Sequence, residues 1–173
     1  MKLITSYLLL LTTLVLPSTT FSAEGEYQVK AAMLFNFAKF VEWPAGVLGS
    51  DAKLLFCVAG KSGMLEAAQQ LQGKQVKGRP LSVKHINRPE DTAGCQILFI
   101  PAADKNRLSG YLLQTSNTSI LTVSDMEPFA TAGGIIGFFD EAGKVRFEIN
   151  PEAAQKGKLQ ISSHLLKLAK IVR

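Results

Sequence analysis

The stretch "KLLFCVAG" (residues 53–60) decides the fold. Leu54 to Ala59 follow one another without a polar residue, and Gly60 closes the run. A strand with one wet face alternates apolar and polar residues. A short continuous apolar run instead reads as a strand covered on both faces, as in a parallel sheet between layers of helices. "CQILFIP" (95–101) repeats the pattern. "SILTVSD" (119–125) gives another strand, and so does "RPLSVKHI" (79–86), where Leu81, Val83 and His85 alternate against Ser82, Lys84 and Ile86.

Helical patterns stand between these strands. "SGMLEAAQQLQG" (62–73) gathers Met64, Leu65, Ala68 and Leu71 on one side and stops at Gly73, and "ADKNRLSGYLLQTS" (103–116) is a weaker helix. "GIIGFFDEAGKVRFEIN" (134–150) predicts a hairpin turning at residues 141–144. Residues 151–173 predict mostly helix, with Pro151 at its start. Strands alternating with helices, then a hairpin and a closing helix, describe a single-domain α/β sandwich. Its sheet is mixed, mostly parallel, of about five or six strands flanked by helices.

The N-terminal residues 1–23 stand apart from the domain expected over 24–173. Lys2 precedes a mostly leucine, isoleucine and valine run from Leu3 to Leu16, Pro17 breaks it, and small residues follow. That is the layout of a secretory signal peptide, and the run is shorter than the roughly 20 residues of a spanning helix. Removing Lys2 lowers the formal charge from +5 to +4. An exported, mildly basic chain is a poor match for nucleic acid. The basic residues near the C-terminus (Lys156, Lys158, Lys167, Lys170, Arg173) read as a solvated face or an attraction for an acidic partner or anionic lipid. Export leaves two readings for Cys57 and Cys95, which both lie in strand-like runs: two buried thiols, or one bridge contributing about 4 kcal/mol.

Catalytic signals are sparse. "AGKSG" (59–63) lacks the first glycine of the Walker spacing, since Leu55 stands there, and remains a strand-to-helix turn. His85 and His164 have no partner at metal-ligand spacing and read as partly buried imidazoles, so neither metal nor cofactor is expected. Ser124 and Asp125 end a strand, where open α/β sheets place ligands, but no GxSxG elbow surrounds the serine. Lys61, Ser62, Ser124 and Asp125 are therefore candidates for a ligand pocket, not for turnover.

"KAAMLFNFAKFVEWP" (30–44) belongs to a helix expected over 26–42. Met33, Leu34, Phe37, Phe40 and Val41 share one stripe, while Phe35 points toward Lys39 and Glu42 on the polar side. Trp43 reads as a plug at the end of the core. In the expected C-terminal helix, Ile161, Leu165, Leu168 and Val172 form the inward stripe and Leu166 lies off it. Phe35, Lys39 and Leu166 are thus candidates for a contact surface, covered either within the chain or by a partner.

Taken together, the N-F-A-K-F-x-E-W-P run, "FCVAGKSGM", "ILTVSDMEPFATAGGIIGFF", the R-F-E-I-N run and S-x-L-L-x-L-A resemble the YfiR family of periplasmic proteins. The resemblance runs from about Tyr27 to Val172. It implies an α/β protein that dimerises, with Cys57 and Cys95 bridged. It also implies a repressor of an inner-membrane diguanylate cyclase, acting on the cyclase's periplasmic part and lowering cyclic di-GMP and biofilm formation. An OmpA-like outer-membrane lipoprotein relieves the restraint in some systems. Some relatives carry a second cysteine pair in the hairpin region; none occurs here. A non-enzymatic periplasmic regulator is the expectation, with a small-ligand-binding sensor as the alternative.

Overall fold

The computed structural model describes residues 23–48 and 53–173. The expected leader lies outside the described residues except for Ala23, the first residue of helix α1 (Ala23–Lys39). After α1 come β1 (Val41–Glu42), β2 (Leu54–Ala59), α2 (Met64–Gln69), β3 (Gln75–Val76), β4 (Arg79–Ile86) and β5 (Ile97–Ile100). Then follow α3 (Leu108–Thr115), β6 (Leu121–Ser124), β7 (Ile136–Glu141), β8 (Lys144–Ile149) and α4 (Pro151–Lys156). The chain closes with β9 (Gln160–Ile161), α5 (Ser163–Leu168) and β10 (Lys170–Ile171).

The main sheet has eight strands in the order β10-β8-β7-β6-β5-β2-β4-β3, and β1 pairs with β9 in a separate two-stranded ladder. Strands β4, β2, β5, β6 and β7 run parallel to their neighbours, whereas β7–β8 and β3–β4 are antiparallel. A mixed, mostly parallel sheet is as the sequence predicts, but it is wider than five or six strands. The extra members β3 and β10 are two residues long, too short for any period to show.

The apolar runs alternate between two cores. Phe56 and Val58 of β2, Ile97 and Phe99 of β5, and Leu121 and Val123 of β6 join Leu34 and Phe37 of α1 and Met64 and Ala67 of α2. Cys57, Ala59, Leu98 and Ile100 face the other way and pack with Tyr111 of α3 and Phe129. Both faces of the central strands are thereby covered. Cys57 and Cys95 meet on the α3 side in a disulfide, their Cα atoms 5.9 Å apart.

Local signals set several ends. The hairpin turns through Ala142 (φ 52°) and Gly143 (φ 74°), the left-handed pair that matches strand twist, and the Gly143 amide donates to Asp140 Oδ1 at 3.1 Å. Asn150 caps α4 by accepting from the Ala153 amide at 3.0 Å, and Pro151 occupies the first helical position.

Three expectations change. Helix α1 stops at Lys39, and Val41 and Glu42 leave it to pair with β9. Residues 151–173 do not form one mostly continuous helix: β9 interrupts them, Ser162 starts a new six-residue helix by accepting from the Leu165 amide, and β10 pairs parallel with β8. The expected inward stripe therefore splits. Leu165 is buried, Leu168 is 64% exposed, and Leu166 packs partly against the core. His85 and His164, read as partly buried, also differ: both are exposed.

The bridge closes a separation of 38 residues, for which loop-closure entropy gives about 4 kcal/mol. Urea unfolding of a Cys57→Ala/Cys95→Ala variant should show a loss near that size. A loss under about 1 kcal/mol would remove the disulfide from the account of stability.

Candidate functional site

The connections leaving β2 and β5 lead to helices on opposite faces of the sheet, α2 and α3. Such a divergence opens a crevice at the carboxyl ends of the strands, where open α/β sheets hold ligands. Gly60, the residue after β2, sits there with φ +57°. A Cβ on it would come within 2.6 Å of the Asp104 carboxylate, so a side chain has no room. Asp104 is in turn paired with Arg107 at 2.6 Å.

Asp125 stands immediately after β6 and ties three segments together. Its Oδ1 accepts from the Ala102 amide, just beyond β5, at 2.8 Å. Its Oδ2 accepts from Lys30 Nζ of α1 at 3.1 Å, and both side chains are only 8% exposed. Lys30 also meets Glu26, one helical turn earlier, at 2.5 Å. Burial first, then the Asp125 charge and hydrogen bonding to it, push the Tyr27 phenol up to about 12. Lys30 lies on the buried face of α1 with Ala31, Leu34 and Ala38. A lysine on that face has to find an anion, and Asp125 supplies it.

Two cavities flank the first turns of α1. One, of about 630 Å³, is bordered by Tyr27, Gly60, Lys61, Ser62, Leu65 and His85. The other, of about 180 Å³, lies between Lys30, Asp125 and the hairpin residues Phe138 and Phe139. The structure therefore brings Lys61 and Ser62 together in one cavity and places Asp125 at the edge of the other. Ser124 is fully buried; it donates to the Ile100 carbonyl at 2.6 Å and accepts from the Met126 amide at 3.0 Å, so it lines neither. Tyr27, Lys30 and His85 were not among the predicted pocket residues. Lys30 was detectable as a charge on an apolar helical stripe, whereas its partner lies 95 positions away and leaves no local trace.

Of the predicted contact residues, Phe35 is half-buried against the α1 side of the core, and Lys39 Nζ lies 4.4 Å from its ring centre. Leu166 packs on the same core from α5. His164 is exposed and touches the Phe40 ring, with centroids 5.2 Å apart. Trp43 packs partly into that core as expected of a plug.

The carboxyl edge of this open α/β sheet thus carries charge-paired, hydrogen-bonded side chains beside two cavities. The chain belongs to the YfiR/HmsC-like family, whose model matches residues 27–170. Comparison with curated proteins gives no match. Membership points to a periplasmic regulator rather than an enzyme, and the Cys57–Cys95 bridge suits an oxidising compartment.

Removing Lys30 alone leaves Asp125 charged and buried, so Lys30→Met should cost about 3–5 kcal/mol in denaturant unfolding. The Lys30→Met/Asp125→Asn double variant should recover most of that, because desolvation offsets most of the pair's attraction. Strictly additive losses would show that the two side chains act independently.

Tyr111 is raised too, chiefly by burial. The folded protein holds both phenolic protons more tightly than the unfolded chain, so their contribution to stability is complete below pH 10 and is lost as pH rises, for Tyr27 as it climbs toward 12. An ultraviolet titration of residues 24–173 should show Tyr27 still protonated at the ordinary value of 10.0 while the fold persists. Native-state ionisation of Tyr27 at that pH would contradict its burial against Asp125.

Proposed function

We propose that the protein is an exported periplasmic regulator that represses an inner-membrane diguanylate cyclase by binding the cyclase's periplasmic part. Cytoplasmic cyclic di-GMP and biofilm formation then fall. The observation that carries this reading is the family match over residues 27–170, which spans nearly all of the folded domain. On this reading the protein works as a homodimer, and an OmpA-like outer-membrane lipoprotein relieves repression by capturing it.

Repression by stoichiometric binding needs surface that the fold does not consume. Phe35 keeps part of its ring outside the core, under the Lys39 ammonium, and Leu166 keeps part of its side chain free. Leu168 at 64% exposure and Ile171 at 48% extend the apolar surface of the C-terminal segment. Aromatic and aliphatic side chains rimmed by lysines suit a protein surface, where buried rings supply affinity and rim charges steer approach.

Deleting the gene should raise cyclic di-GMP, and the purified protein should bind the periplasmic segment of a cyclase from the same envelope. Lys39→Glu, at an exposed position, should weaken that binding roughly tenfold with unfolding unchanged. Phe35→Ala should weaken it further while costing some stability. Unaltered cyclic di-GMP in the deletion strain would sink the reading; unaltered binding by both variants would move the contact surface off α1.

A further inference from the structure

The cavity of about 630 Å³ beside Gly60 has a polarity of its own. Its volume falls in the range of small-molecule sites. Its walls are mostly apolar: the Tyr27 ring lies so close over Gly63 that a Cβ there would come within 2.7 Å of it, and Leu65 adds aliphatic surface. Glu24, Lys61 and Glu66 border it, yet all three are solvent-exposed, so the charges stand at the rim. Among the described residues no charged side chain bordering this cavity is buried, and a ligand charge carried inside would lose water without gaining a counter-ion.

The polar side chains of His85, Ser62 and Gln28 also border the cavity. His85 Nε2 lies 2.7 Å from the Gly60 carbonyl oxygen, and a carbonyl can only accept. Nε2 therefore carries the proton, and in the neutral ring Nδ1 is left as an acceptor. Ser62 Oγ is buried with no hydrogen-bond partner among the described residues, an unspent polar atom in the same loop.

We infer that this cavity binds an uncharged aromatic small molecule bearing one N–H or O–H donor, its rings against Tyr27 and Leu65 and its donor on His85 Nδ1. Charged relatives of such a molecule are disfavoured because the charged side chains that border the cavity, Glu24, Lys61 and Glu66, stay in water. The inference does not rest on the docking reading, which concerns the far end of α1 and the C-terminal segment.

N-phenylnaphthylamine, two aromatic groups joined by one N–H, is the probe. Anilinonaphthalene sulfonate shares that body and adds one negative charge. The leader-free protein should enhance the fluorescence of the neutral dye saturably, with one site, and bind the sulfonate roughly tenfold more weakly. Gln28→Trp, at a half-buried position bordering the cavity, should abolish binding by filling it. His85→Ala, at an exposed position, should weaken binding about fivefold, the worth of one neutral hydrogen bond, and decides the matter if the tryptophan variant does not fold. Leu168→Ser/Ile171→Ser should leave dye binding intact. The inference is overturned by absence of saturable binding, by equal affinity for the sulfonate, or by loss in the Leu168/Ile171 variant in place of the cavity variants. Client binding by Gln28→Trp and His85→Ala is expected to persist, so failure here leaves the regulatory reading standing.

Discussion

One carboxylate sets where α1 lies. Asp125 holds Lys30 of that helix and the Ala102 amide beyond β5, so a single side chain joins the ends of two parallel strands to the helix that crosses them. Apolar packing alone specifies a helix position loosely, because a shift of one turn, about 5.4 Å, brings similar side chains over similar grooves. A buried ion pair does not tolerate that shift, since either partner left alone in the interior is costly. The placement of α1 then fixes Tyr27 over Gly63 and with it one wall of the larger cavity. Burial of an ion pair thus contributes more to position than to net stability.

The central strands impose the second constraint. With Phe56 and Val58 facing one core and Cys57 and Ala59 the other, β2 has no wet face, and helices have to cover both sides. The disulfide belongs to the α3-side core. Cys57 is wholly buried and Cys95 nearly so. Thiol–disulfide exchange requires a thiolate to reach a sulfur, and here neither sulfur-bearing residue offers an open approach. The bridge is accordingly a clamp between β2 and the start of β5, and its place in the fold favours permanence over switching.

The parts of this arrangement that were legible in the sequence are those with a local cause. The runs at 54–59 and 97–100 announced two-sided burial, and Pro151 marked the start of α4. The glycine turn at 142–143 marked the hairpin. The C-terminal segment misled because Ile161, Leu165, Leu168 and Val172 satisfy a helical period by spacing alone. What breaks it is non-local: the Ser162 amide donates to the Phe40 carbonyl at 2.9 Å, and β10 finds β8. Helix propensity loses to strand partners that the local sequence does not show. The site divides the same way. Lys61 and Ser62 could be placed from a strand followed by a glycine turn, whereas the joining of Lys30 to Asp125 depends on the whole sheet order.

Sheet edges constrain how such a protein can meet a partner. An open sheet has two, and each presents unpaired backbone groups to which a strand of another chain can add. Here the outermost members, β10 and β3, are two residues long, and lysines stand at or beside both: Lys170 in β10, Lys74 and Lys77 around β3. Short, lysine-flanked edges are poor templates for strand addition. Each of them pairs with only two residues of its neighbour, β10 with Glu148 and Ile149 of β8 and β3 with Arg79 and Pro80 of β4, and side chains offer a further means of recognition. The partly uncovered ring of Phe35 under Lys39, and the exposed aliphatics Leu168 and Ile171, are side chains of the kind that can carry it.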